Sequence, residues 1–167
     1  MKMRGLCVLV GTGLLVTHAS AALQPATSSL EQSSALVEST HGPAMLARRC
    51  VHEIGRTARS TIHDVAYLAQ HGVEQIYRLA MNGAPDGAIA ESARRSIEAI
   101  HQRAAAGAER VNTIADHCAR ALHDAGADSE LIELVNRARH AALARIGDSV
   151  QHASDAVRLA ADRAIGG

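Results

Sequence analysis

The chain has 167 residues, with 17 basic and 17 acidic side chains and only two aromatic rings beyond histidine, both tyrosine. A balanced charge cannot hold a nucleic-acid backbone, and so few rings leave no stacking platform for bases, sugars or a flat cofactor. Both features argue against a nucleic-acid partner.

The first segment, "MKMRGLCVLVGTGLLVTHASAA", carries Lys2 and Arg4 ahead of an apolar run from Gly5 to Val16. Ala19-Ser20-Ala21 follows with the small-x-small pattern of a secretory cleavage site, so residues 1–21 read as a signal peptide. The apolar run is about 12 residues, short of the roughly 20 that a spanning helix needs. Cys7 lies too early for a lipoprotein-type acylation site. Beyond this segment every cation is an arginine, 15 against 17 acids, for a charge of about −2. No lysine is left to form a Schiff base. The remaining length suits one domain, expected to be secreted or periplasmic.

Residues 22–42, "ALQPATSSLEQSSALVESTHG", are rich in Ser, Thr and Gln and read as a flexible arm. Ser28 with Glu31 three residues on resembles a capping box, which predicts a short helix over about 29–38. From Pro43, a residue suited to a helix's first turn, the period becomes helical. Val51, Ile54, Ala58, Ile62, Val65, Ala69, Gly72, Ile76 and Leu79 recur at steps of three and four, the seam of a packed helix over about 44–81. Asn82-Gly83 stops it, and Asp86 is placed to cap the next.

The second seam is Ile97, Ile100, Ala104, Gly107, Val111, Ile114, Cys118 and Leu122, predicting a helix over about 87–125 that ends at Gly126. A third, over about 129–165 with Asp128 or Ser129 as its cap, takes Leu131, Leu134, Ala138, Ala142, Ile146, Ser149, Ala153, Ala156 and Ala160. Each helix is then about 57 Å long. Short connections predict an all-α fold, an up-down-up bundle of three antiparallel helices. Glu74/Arg78, Glu91/Arg95, Asp116/Arg120 and Glu133/Arg137 place the acid four residues before the base, the favourable order on a helix surface. Offset by 35, the first two helices also share Arg, Ile, Ala, Gly and Glu in register. Duplication and convergent Ala-rich composition both account for that. Seams of Ala, Val, Ile and Gly make a thin core that calls for a staple.

The staple follows from the hairpin's register. With the first turn centred near residue 84, residues level with each other have numbers summing to about 168, and Cys50 with Cys118 meets that sum. In an oxidising compartment such a pair closes. A cross-link over so long a loop stabilises by about 4 kcal/mol in the chain-entropy model. A zinc site at Cys118 would need partners three or four residues away, where Ile114, Ala115, Ala121 and Leu122 cannot ligate. His117 and His123, although close in sequence, therefore face away from it. Around Cys50, His52 lies two residues on and only Glu53 is well spaced.

The other histidines offer no local ligand pair, since no two are three or four residues apart. His41, His52 and His63 share a face but lie about 16 Å apart per step. The register does place His63, His71, His101 and His152 near one level, where converging faces would bind a transition metal or ligate haem. Boundary histidines bonded to water are the plainer expectation. No CxxCH haem-attachment motif, GxSxG elbow or phosphate-binding glycine loop occurs.

The chain therefore reads as a non-enzymatic exported bundle without a cofactor, acting through a protein partner or the cell envelope. Its Ala-rich amphipathic helices resemble those of exchangeable apolipoproteins, which implies peripheral membrane or lipid contact. The missing Phe and Trp anchors and the expected cross-link count against that mode. A metal or haem bundle is the third reading. Long narrow bundles pair readily, so a homodimer fits as well.

Overall fold

A computed structural model describes residues 28–166, with side chains from Gly42 onward. The expected signal peptide lies outside the described residues, as do residues 22–27 of the arm. Three helices make up the fold: α1 (Ser28–Met81), α2 (Asp86–Asp124) and α3 (Ser129–Gly166). Each packs on both others, and no strand occurs among the described residues. The expected up-down-up bundle is the observed one.

Both stops fall at the expected glycines. Gly83 and Gly126 take φ of 68° and 67°, the left-handed region that a residue with a Cβ rarely enters. Gly83 N–H bonds to Ala80 O and Gly126 N–H to His123 O, closing the carbonyls that each helix end leaves open. At the start of α2 the expected cap is displaced by one residue. Pro85 takes the cap position with extended backbone, no side chain caps it, and Asp86 becomes the first helical residue. There its carboxylate still complements the positive end of the helix.

The boundary expected at Pro43 is not a helix start. α1 begins at Ser28, the serine of the capping-box pair, and runs through Pro43 without ending, so it has 54 residues against 39 and 38 in its partners. A proline inside a helix gives up one backbone hydrogen bond, which the remaining ladder absorbs. The hairpin register puts residue 44 level with Asp124, so the first turns of α1 run on past the end of α2.

The core has an 11-residue period. Its largest buried side chains are Ile54, Val65 and Ile76 on α1, Ile89, Ile100, Val111 and Leu122 on α2, and Val135, Ile146 and Val157 on α3. Every step within a helix is 11. A second layer repeats the step with alanine: Ala47, Ala58 and Ala69, then Ala93, Ala104 and Ala115. Eleven residues over three turns is 3.67 per turn, close enough to the natural 3.6 for a straight, slightly right-handed stripe. The likeness of α1 and α2 at an offset of 35 is this frame seen twice, since Ile54, Val65 and Ile76 map onto Ile89, Ile100 and Val111. α3 carries the same frame at the same offset, with Ile100, Val111 and Leu122 mapping onto Val135, Ile146 and Val157, as either duplication or a shared packing demand would give.

The α1 and α2 seams lie where expected, but that of α3 is shifted by one residue at two places. Leu134 is 37% exposed while Val135 is fully buried, and Val157 takes the place expected for Ala156. In both cases the β-branched residue in the 11-residue frame goes inside. Small residues then set the α1–α2 distance. A Cβ on Gly72 would fall 2.7 Å from Ser96 Cβ, and one on Gly107 would fall 2.8 Å from Thr61 Cβ with the rest of that side chain closer still. These are sites where only glycine fits. Gly147, inside α3, is exposed with nothing near its missing Cβ.

Candidate functional site

Cys50, Thr61 and Gly72 follow one another at the 11-residue step on α1, and Ser96, Gly107 and Cys118 do so on α2. The contacts pair Gly72 with Ser96 and Thr61 with Gly107, and the third rung pairs Cys50 with Cys118. The two sulfurs stand at disulfide distance, with a Cα–Cα separation of 6.0 Å and a sequence separation of 68. Both cysteines belong to the buried core, at 3% and 5% exposure. Cys50 therefore sits inside the core, whereas Val51, where the α1 seam was expected to begin, is only half-buried. The cysteines occupy a site where the rest of the hairpin needs its smallest side chains.

The histidines do not converge. His63, His71, His101 and His152 are all exposed, on outward faces of three different helices. Among the described residues no group of three His, Cys, Asp or Glu side chains is close enough to hold a metal ion. The register placed these four at similar heights, but height says nothing of azimuth, and the buried azimuths are taken by the 11-residue frame. His52, His117 and His123 are exposed as well, and His123 and His63 lie beside their neighbours Asp124 and Asp64 at 3.6 and 3.9 Å. His41 has no described side chain. Tyr67 and His71 lie near each other on the surface of α1, with ring centroids 6.5 Å apart.

Two polar clamps hold the helices together, and sequence spacing missed both. Arg103 of α2 donates through Nε to Asp64 of α1 at 2.9 Å, with a second bond from Nη2 to the same oxygen. That guanidinium holds the Asp64 carboxyl below its ordinary value. Arg139 of α3 donates to Asn112 at 2.7 Å and to Asp116 at 2.9 Å, both on α2. Asp116 was expected to pair with Arg120, which instead donates to the Asp116 backbone carbonyl. Of the other expected pairs, Glu91–Arg95 forms at 2.7 Å and Glu133–Arg137 at 3.7 Å. Glu74 accepts from Gln70. Glu91 also takes Arg94 in two bonds of 2.8 Å, and these, with Arg95, lower its carboxyl from the ordinary 4.5 to about 2.

An open groove of about 560 Å³ runs between α1 and α2, on the cysteine side of the Asp64–Arg103 clamp. Arg56, Thr57 and Ser60 line it from α1, and Arg103, Arg110 and Thr113 from α2. Nothing in the linear spacing pairs Arg56 with Arg110. Only the hairpin register, applied to cations as it was to the cysteines, would have found them.

No described helix is long and apolar enough to cross a membrane. No family model matches the chain, and searches of curated proteins and of solved structures find no similar chain.

Proposed function

We propose that the chain is an exported, non-enzymatic helical-bundle protein that works through contacts with a protein partner or the cell envelope, as a structural, scaffold or chaperone-like element. One observation carries the reading: the cysteines at positions 50 and 118 stand at disulfide distance on the close-approach ladder of α1 and α2. A buried pair so placed closes in an oxidising compartment and stays open in a reducing one, so its chemistry is tied to export. The leader with its small-x-small site points the same way. A thin core of Ala, Val and Ile gains from such a staple, which adds a third rung to the two glycine contacts between α1 and α2.

Two measurements test this. Chain recovered from its native host without reductant, then denatured, should react with no thiol reagent at Cys50 or Cys118; two equivalents of reaction would defeat the cross-linked reading. Cross-linking in the host followed by affinity capture should enrich an envelope or exported protein, while capture of cytoplasmic proteins alone would defeat the export reading.

A second reading, an amphipathic surface binder like exchangeable apolipoproteins, draws on the 11-residue period. A stripe at 3.67 residues per turn stays nearly straight along a helix, as a flat lipid surface requires. Met45, Tyr67, Met81 and Leu159 are exposed by half or more and add apolar surface. Lipid vesicles that bind the reduced chain and not the oxidised one would favour this reading.

A further inference from the structure

We propose that the α1–α2 groove between Arg56 and Arg110 is a binding site for a small oxyanion-bearing ligand, whose phosphate, sulfate or carboxylate group spans the two guanidiniums. The argument begins with where the arginines are satisfied. Arg94, Arg95, Arg103, Arg137, Arg139 and Arg158 each meet a carboxylate of a described residue. Arg48, Arg49, Arg56, Arg59, Arg110 and Arg120 meet no carboxylate of a described residue and lie in the half of the α1–α2 hairpin that holds the cysteines. Arg78, Arg145 and Arg163 also meet none and are scattered elsewhere, so six of the nine are gathered there. Glu53 and Glu109 are the acids that line the same stretch, so the cations outnumber them there.

Arg56 and Arg110 come from opposite helices and line one groove. The register makes residue 112 level with Arg56, which leaves Arg110 within one turn of it. Two arginines that line one groove from opposite helices, with Glu109 as the one acid beside them, leave an excess of positive charge there, and a guanidinium fork matches the oxygens of phosphate or carboxylate. Thr57 and Ser60 add hydroxyl donors beside Arg56, and Ile114 gives the groove one apolar surface. Thr113 already donates its hydroxyl to the Glu109 carbonyl, which fixes its oxygen in the groove wall. Arg103 is held by Asp64 and closes one end as a neutralised pair. A second hollow, lined by Arg48, Arg49, His52 and Glu53, shares Arg56 and extends the basic surface along α1.

The size and charge bound the ligand. A volume of about 560 Å³ is that of a small-molecule site rather than a strand-binding channel. Glu109 in the lining disfavours a long polyanion, in keeping with the balanced charge of the whole chain. The site is independent of the export reading, and its failure would leave that reading standing.

The test uses the disulfide-closed chain, isotopically labelled and titrated with inorganic phosphate, and separately with citrate, at fixed ionic strength. Saturable shifts at Thr57, Ser60, Arg110 and Thr113 are expected with at least one of them, and the tighter of the two identifies the ligand as phosphate-like or carboxylate-like. In the R56Q/R110Q variant the saturable shifts should vanish. In R145Q/R163Q, which removes two exposed cations elsewhere, they should persist. All four arginines are exposed, so neither variant disturbs the core. Shifts that climb without saturating, or that weaken equally in the two variants, would overturn the site. As an independent readout, the binding anion should raise the melting temperature above that in chloride of equal ionic strength, and an unchanged melting temperature would count against it.

Discussion

At the residue scale the two glycines of the α1–α2 interface and the exposed glycine of α3 separate two roles of one residue type. Gly107 meets Thr61 so closely that an added methyl must move one helix or the other. Gly107→Ala is expected to lower stability by about 1–3 kcal/mol, the usual cost of overpacking. Adding Thr61→Ala, which removes the two nearest atoms and leaves the Thr61 Cβ contact at 2.8 Å, should recover part of that loss. A double-mutant cycle by urea denaturation checks this, and additive effects would mean that the contact does not set the helix spacing. Gly147→Ala should do the opposite and add about 0.5–1 kcal/mol, because nothing lies near the new methyl and the helix backbone loses freedom only in the unfolded chain. Glu91 supplies a second residue-scale prediction. Its carboxyl is lowered to about 2 in the folded chain by Arg94 and Arg95. A carboxyl with a depressed folded value stabilises the fold above its unfolded value, here 4.5, and loses that contribution as pH falls toward 2. Glu91→Gln should therefore lower the melting temperature at neutral pH and flatten its fall between pH 4.5 and 2. Melting curves across that window read it directly, and parallel curves for the two proteins would refute it.

At the scale of the element the 11-residue frame decides which face of each helix is buried, and α3 is where it departs from a reading by threes and fours. Val135→Ala should cost about 2 kcal/mol through the cavity that it leaves, while Leu134→Ala, although it removes a larger side chain, should cost less than about 1 kcal/mol. The reverse order, measured by denaturant unfolding, would restore the seam through Leu134. Much of the bundle was legible in the sequence: two glycine stops, three amphipathic periods and short turns leave little freedom beyond an up-down-up arrangement. The seam of α3 was not, because Leu134 and Val135 are adjacent and both apolar. Only counting 11 residues back from Ile146, or on from it to Val157, selects the valine. The start of α1 was hidden for a different reason, since Pro43 is at home in a first turn and also survives inside a helix. The alternative grouping of His63, His71, His101 and His152 rested on height alone. A register across a hairpin supplies height along the axis, and whether side chains meet depends as well on azimuth. The cysteines passed both conditions, being level with each other and also on the small-residue rung that faces the neighbouring helix. Arg103 and Arg139 find partners 39 and 23 to 27 residues away, beyond any pattern that looks within one helix.

At the scale of the whole molecule the cysteine pair, once joined, and the third helix divide the work of holding the bundle. α3 packs on both members of the hairpin and carries its own clamp to α2 through Arg139, so the three helices have a common core without the sulfurs. The pair at positions 50 and 118 then acts mainly on the unfolded chain, where closing a loop whose ends are 68 positions apart removes conformations worth about 4 kcal/mol in the entropic account. Reduction should accordingly leave the helical circular-dichroism signal of the folded chain almost unchanged while lowering its melting temperature by roughly 10–15 °C, at about 2–4 °C for each kcal/mol in a chain of this size. The double variant C50S/C118S isolates the loss of the link from the presence of reductant, and it also places two hydroxyls in a buried rung. C50A/C118A avoids those hydroxyls and should be the more stable of the two, since buried hydroxyl groups without partners cost more than a methyl does. Three melting curves, of oxidised chain, reduced chain and C50A/C118A, separate the possibilities. If the reduced chain and C50A/C118A melt together well below the oxidised chain and keep their helicity, the sulfurs staple a bundle that is already specified by its core. Loss of helicity on reduction at room temperature would mean that the thin seams of Ala, Val and Ile do not suffice, and that the bundle exists only where its cysteines are joined.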